Sequence, residues 1–207
     1  MKKQVTASIL AAAMLLSTSA FAMDTVSPEE DGIMYAFQDM ENDIKYAVSA
    51  GIAKDENYDI NSSITRAQFC EFAYNMLSSI IDLPVAKLER SPFDDFSTPE
   101  INTLAFIGII NGKSDRTFAP KDTLTREEAA VILYRIASYA KVDMPVVKVD
   151  MSYSDNQDIS EWAVSPIYSL KILNLINTPE SSFKPQGNYT IGESLFSLAR
   201  LHKLIKK

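Results

Sequence analysis

Reactive side chains are scarce in this sequence. It holds one cysteine, Cys70, and one histidine, His202. A lone cysteine excludes an internal disulfide, so the fold must rest on its hydrophobic core. One His and one Cys also leave little from which to assemble a histidine-rich metal site or a Ser/His/Asp triad. Cys70 lies in the helically spaced run Phe69, Phe72, Met76, Ile80 and reads as a buried, inert thiol. His202, near the end of the last helical pattern, reads as a residue that meets exposed helix carbonyls when protonated. Basic residues are outnumbered, 20 Lys and Arg against 27 Asp and Glu, which excludes nucleic acid and anionic lipid as natural partners. No apolar run reaches the length of a membrane span.

The longest such run, Ile9 to Leu16, follows Lys2 and Lys3 and precedes Ala20-Phe21-Ala22, whose small residues fit a signal-peptidase site. Residues 1–22 therefore read as a secretory signal, with a mature chain starting at Met23 and holding no transmembrane segment. Losing Lys2 and Lys3 leaves 18 basic residues against 27 acidic ones, a formal charge of −9. Any anion bound by such a chain must meet a local Arg or Lys.

What the sequence does have is repetition, and a repeat of this length decides architecture before any single residue is weighed. Ile64-Thr65-Arg66-Ala67-Gln68, Leu124-Thr125-Arg126-Glu127-Glu128 and Tyr189-Thr190-Ile191-Gly192-Glu193 align as three helix starts. In each, Thr with Gln or Glu three residues on forms a capping box, satisfying backbone donors that the first turn leaves orphaned. Upstream of each lies a shorter helical pattern: Ile44, Ala47, Ile52; Ile101, Leu104, Ile109; Ile167, Leu170, Leu175. These end at Gly51, Gly108 and Asn174, the two residue types that enter a left-handed C-cap at least cost. Between the helices, Phe118-x-Pro120 and Phe183-x-Pro185 sit in polar loops and read as aromatic plugs into the core. The first loop, Lys54 to Ser63, lacks that pair and is expected to pack differently. Ser27-Pro28-Glu29-Glu30 predicts a helix start that continues through Ile33, Phe37, Met40 and Ile44 into the first unit.

The expected fold is thus mainly α: three helix-loop-helix repeats in a pseudo-three-fold bundle, at 23–82 with its N-terminal helix, 91–141 and 150–207. Arg66 and Arg126 stand between the two capping residues without a part in the cap, and the third unit has Ile191 there. Structure persists where the charge has gone, which marks the two arginines as binding candidates.

Phe93, Asp95, Ile101, Leu104, Gly108, Ile109, Gly112, Phe118, Pro120 and Thr125-Arg126-Glu127-Glu128, with Tyr153, Asp155, Trp162-Ala163, Ile167, Leu170, Phe183 and Pro185 after them, resemble the S-layer homology (SLH) family pattern in tandem. The resemblance implies a three-pronged pseudo-trimer with grooves between modules. It also implies noncovalent attachment to a secondary cell-wall polysaccharide, often bearing pyruvate ketals, on a bacterial envelope. It points to Arg66, Arg126, Asp95, Gly108, Asn111, Gly112, Asp155 and Trp162 as ligand-binding residues, since a guanidinium forks onto a carboxylate and an indole face suits a sugar ring. The pattern is incomplete here: only Trp162 remains of the W-A segments, and Asn174 to Thr178 replaces the third G-I-x-x-G. A lone Trp at a helix start reads first as core.

Three functions remain open to the sequence: a glycan-binding wall anchor, a degenerate scaffold meeting another envelope protein, and an enzyme. The last rests on acid pairs such as Asp94-Asp95, which recur as turn residues, so no catalytic residue is assigned. Asp115 and Asp122 lack EF-hand spacing, and neither a metal nor a cofactor is expected.

Overall fold

The computed structural model describes residues 28–54, 57–84, 90–147, 153–176 and 181–207, with side chains of the first helix from 39 onward. The expected signal peptide lies outside the described residues. Within them are six α-helices and no β-sheet: α1 Pro28–Ser49, α2 Arg66–Ser78, α3 Pro99–Phe106, α4 Arg126–Tyr139, α5 Glu161–Ile172 and α6 Ile191–Ile205, with a 3-10 turn at Asn156–Asp158 before α5. α1 is continuous from Pro28 into the first repeat, as its spacing predicts.

Local chemistry accounts for the helix ends. Thr65, Thr125 and Thr190 each accept a bond from the backbone N–H three residues on, and Gln68, Glu128 and Glu193 each reach back to close the capping box. Such caps contribute about 1 kcal/mol apiece. Gly51 and Gly108 stop α1 and α3 at φ of +73° and +77°, and Asn174 stops α5 at φ 53°. The three stop slots share one backbone conformation although only two hold glycine.

The three helix starts meet through their backbones. Ile64 N donates to Tyr189 O, Tyr189 N to Leu124 O, and Leu124 N to Ile64 O, closing a three-membered ring at 2.8 to 3.2 Å. Beside it, Arg66 N donates to Asp122 O, Arg126 N to Gly187 O and Ile191 N to Ser62 O. A third set runs from Ala67 N to Pro120 O, Glu127 N to Pro185 O and Gly192 N to Ile60 O. The first turns of α2, α4 and α6 thereby spend orphaned N–H groups on the following repeat. This frame aligns Tyr58-Asp59-Ile60 with Phe118-x-Pro120, so the first loop holds an equivalent segment in altered residues.

Helix packing follows the same cycle: α2 against α3, α4 against α5, and α6 against α1, with α6 also touching α2 and α4. Phe118 and Phe183 are fully buried plugs, each worth about 1.5–3 kcal/mol of burial. Phe93 packs on Phe118 at 5.3 Å between ring centroids and Tyr153 on Phe183 at 5.5 Å, pairing the aromatic that opens a repeat with the aromatic of its loop.

Two single-copy residues differ in setting from their sequence reading. His202 is buried rather than set at a frayed helix end: its Nδ1 meets the Tyr46 hydroxyl at 2.7 Å and its Nε2 the Ser79 hydroxyl at 2.9 Å. Ser79 donates its own proton to Met76 O, so Nε2 carries the imidazole proton and Nδ1 accepts from Tyr46. The ring is thereby a neutral link among α1, the end of α2 and α6, and burial first and Lys206 second lower its pKa. Trp162 is 55% exposed, so the core reading of that residue is overturned. Cys70 is buried as expected, and desolvation pushes its thiol up to about 12.

Candidate functional site at the repeat junctions

Each arginine of the helix-start motif reaches across a junction. Arg66 donates Nε to Phe118 O at 2.9 Å and Nη2 to Asn111 O at 2.8 Å, while its guanidinium carbon lies 4.9 Å from the Phe118 ring centroid. Its Nη1 makes no hydrogen bond among the described residues and is not sealed from solvent, although the residue as a whole is only 6% exposed. Arg126 repeats the geometry one repeat later. Its Nε donates to Phe183 O at 2.7 Å and its guanidinium lies 5.1 Å from the Phe183 ring centroid, but its Nη1 pairs with the capping residue Glu193.

The far side of the same loops is held by the acids that open the repeats. Asp95 accepts the N–H groups of Phe118 and Ala119, each at 2.8 Å. Asp155 accepts those of Phe183 and Lys184 and the hydroxyl of Ser182. Ala119 and Lys184, the middle residues of the two Phe-x-Pro segments, adopt φ of 60° and 57°, a cost of about 1–2 kcal/mol each that the charge-assisted bonds offset. The Phe118 and Ala119 amides hold Asp95 below its ordinary carboxylate range. At Asp155 burial pushes upward, but the Phe183, Ser182 and Lys184 bonds outweigh it and the net shift is down. One residue, Phe118 or Phe183, thus receives an arginine on its carbonyl and gives its N–H to an aspartate.

Of the sequence candidates, Arg66, Asn111, Gly112 and Asp95 converge on the junction of the first and second repeats, whereas Gly108 sits at the stop of α3 and makes no contact across it among the described residues. Gly112 is required there, because a Cβ would fall 2.6 Å from the carbonyl oxygens of both Ser114 and Thr117. Arg126 and Asp155 mark the next junction. Trp162 joins it indirectly: Ser160, two residues before it, donates its N–H and hydroxyl to Glu127 at 3.1 and 3.0 Å. Pro166 has no N–H for the Trp162 carbonyl four residues back, which loosens the turn that carries the indole.

Sequence reasoning missed two groups here. Glu127 is buried and also accepts from Gln186 at 2.7 Å; its signal was an acid in a slot that holds Ala67 and Gly192 in the other repeats. Lys113 stands beside Asn111 and pairs with Glu128 at 2.5 Å. Burial raises the Glu128 pKa, but Lys113 and the Thr125 amide outweigh it and leave it lowered. Asp94, the other half of the acid pair, is bound by Arg116 and Arg90 and held down to about 2, a salt-bridged carboxylate rather than a poised acid. The described residues contain no cluster of His, Cys, Asp and Glu suited to a metal ion, and no described helix is long and apolar enough to cross a membrane.

Comparison with known proteins gives three relatives. An endoglucanase of Bacillus sp. (strain KSM-635) is 29% identical over 136 residues, 64% of this chain and 14% of the relative. An amylopullulanase of Thermoanaerobacterium thermosulfurigenes and the exoglucanase XynX of Acetivibrio thermocellus are each 26% identical over 145 residues, 68% of this chain and 8% and 13% of theirs. The chain spans a small fraction of these enzymes, and the activities in their names belong to the whole relatives. The family model that matches is the S-layer homology domain, over residues 91–130. This interval holds Asp95, Gly108, Asn111, Gly112, the Phe118-x-Pro120 plug and the Thr125 capping box, and the chain accordingly carries an S-layer homology domain at residues 91–130.

Proposed function

We propose that the chain is a wall anchor that attaches noncovalently to a secondary cell-wall polysaccharide through junctions between three S-layer homology repeats. The flanking repeats, at 23–82 and 150–207, are counted as degenerate modules on the strength of the cyclic backbone bonds that join all three helix starts.

The observation that carries the reading is Arg66. It is clamped by two carbonyls of the neighbouring repeat, and its Nη1 makes no hydrogen bond among the described residues and is not sealed from solvent; Lys113 acts with it on the same Glu128 carboxylate. A preorganised guanidinium beside a lysine suits an acidic group on a glycan, pyruvate ketals included. Trp162 supplies an exposed aromatic face at the next junction, fit for the apolar side of a sugar ring. The exposed position of Trp162 allows its removal without disturbing the core.

Co-sedimentation with purified wall sacculi tests the proposal. Trp162→Ala and Lys113→Ala should each lower retention while circular dichroism and unfolding midpoint stay at wild-type values. Full retention in both variants would count against the junctions as the binding surface.

A second reading, a scaffold that meets another envelope protein, draws on the charge balance at the next junction. There Glu193 neutralises Arg126. Recovery of a defined protein and no glycan from an envelope fraction would favour it.

A further inference from the structure

The junction that lacks the motif arginine has a different arginine at the opposite end of the same helix. α6 starts at Ile191 rather than Arg, but ten residues past its cap Arg200 faces a cavity of about 360 Å³ between α1, the stop loop after α5 and the end of α6. We propose that this cavity is a binding site for a carboxylate-bearing ligand of about the size of a sugar acid, separate from the arginine clamps described above.

The argument begins with how Arg200 is held. Its Nε donates to Asp43 at 2.6 Å, its Nη1 donates to Asn174 O at 3.2 Å, and its guanidinium lies 4.2 Å from the Phe196 ring centroid. Among the described residues these contacts leave the Nη2 edge with only Asp39, at 3.8 Å and beyond hydrogen-bond reach. The Asp39 side chain is 69% exposed, so that attraction is screened by water. Lys203 donates to Asp43 at 2.6 Å and lies 4.4 Å from the Tyr46 ring centroid, and Lys207 also lines the cavity. Asp43 is buried and fully taken up by Arg200 and Lys203. The cavity lining thus holds three cations, Arg200, Lys203 and Lys207, against two carboxylates, Asp39 and Asp43, in a chain whose formal charge is −7.

The equivalent places in the other repeats make the contrast. Position ten past the cap is Asn75 in the first repeat and Arg135 in the second, and each donates to the carbonyl following its stop glycine, Ile52 O and Ile109 O. Holding the stop loop is thus the shared duty of this position. The third adds a buried aspartate, a second cation and an adjoining cavity. Tethering Arg200 at Nε and Nη1 aims its remaining edge outward at no further entropic cost on binding, which favours a planar two-oxygen acceptor. Leu173, Leu175 and Leu204 add apolar lining to the cavity, suited to the ring of a sugar acid more than to a bare inorganic anion.

The test is a titration of the intact protein, followed by amide NMR at low ionic strength, with sodium glucuronate, sodium acetate and glucose as probes. Glucuronate should shift the amides of Asn174, Arg200 and Lys203. Arg200→Lys, which keeps the charge but loses the fork, and Lys203→Gln should each weaken binding roughly tenfold with the amide spectrum otherwise native. A stronger response to glucuronate than to acetate assigns a sugar acid, and equal responses assign any small carboxylate. A response to glucose as strong as to glucuronate, no saturable response to either acid, or unchanged binding in both variants would overturn the proposal. Sacculus retention is a separate readout, so a failure here is distinguishable from a failure of the wall-anchor reading.

Discussion

Arg66→Lys separates a clamp from a mere surface charge. The substitution preserves the positive charge but cannot span Phe118 O and Asn111 O, which Arg66 reaches with different nitrogens at 2.9 and 2.8 Å. One carbonyl loses a charged donor, a change of about 1.5–3 kcal/mol for a bond of this class. The planar stack on Phe118, 4.9 Å to the centroid, gives way to a point charge for roughly 0.5–1 kcal/mol more. The expected loss is thus about 2–4 kcal/mol, a large share of a domain's usual stability of about 5–15 kcal/mol. Urea unfolding followed by circular dichroism reads it as a lower midpoint at unchanged slope. If Arg66→Lys unfolds within about 0.5 kcal/mol of wild type, the level of an ordinary surface exchange, the two-carbonyl clamp does not hold the junction together.

Further outcomes follow from the same structure. Gly112→Ala places a methyl 2.6 Å from two backbone carbonyl oxygens and should cost about 1–3 kcal/mol, read by thermal unfolding; a neutral result would mean that the loop of residues 111–118 is loosely held. His202 has a folded pKa below its ordinary value of 6.5, so its contribution is present above pH 6.5 and is lost as pH falls from there through the lowered pKa. His202→Gln should flatten the pH dependence of stability in that window, and an unchanged slope would contradict the neutral Tyr46–His202–Ser79 link. Asp95 and Asp155 are lowered by bonds to the loop amides, so their contribution is present above the unfolded carboxylate range and lost as pH falls through the folded values. Either Asp→Asn change should shrink the loss of stability measured between neutral and strongly acid pH. Cys70, with its thiol near 12, ionises to roughly one part in 10⁴ at pH 8 and should resist iodoacetamide until denaturant unfolds the chain.

Local rules made much of this fold legible from the chain alone. The capping boxes, the three stop slots and the buried Phe118 and Phe183 each depend on a few neighbouring residues, and the backbone adopts what those residues favour. Contacts across junctions were not legible, because the carbonyls that receive Arg66 and Arg126 belong to backbone and leave no mark in residue identity. The Tyr58-Asp59-Ile60 segment escaped notice for the opposite reason: the backbone hydrogen bond survives where Phe and Pro do not. His202 and Asp43 depend on how α1 docks on α6, more than 150 residues apart in sequence, and no spacing rule reaches that far. The core reading of Trp162 failed because the pattern of α5 turns Ala163, Ile167 and Leu170 inward and leaves the indole outside.

Wall attachment is tested most directly by sedimenting the mature chain with native sacculi and with sacculi stripped of their secondary polysaccharide. The account predicts that the protein pellets with the native material and stays in solution with the stripped material. Equal pelleting with both, or with neither, would contradict attachment through that polysaccharide.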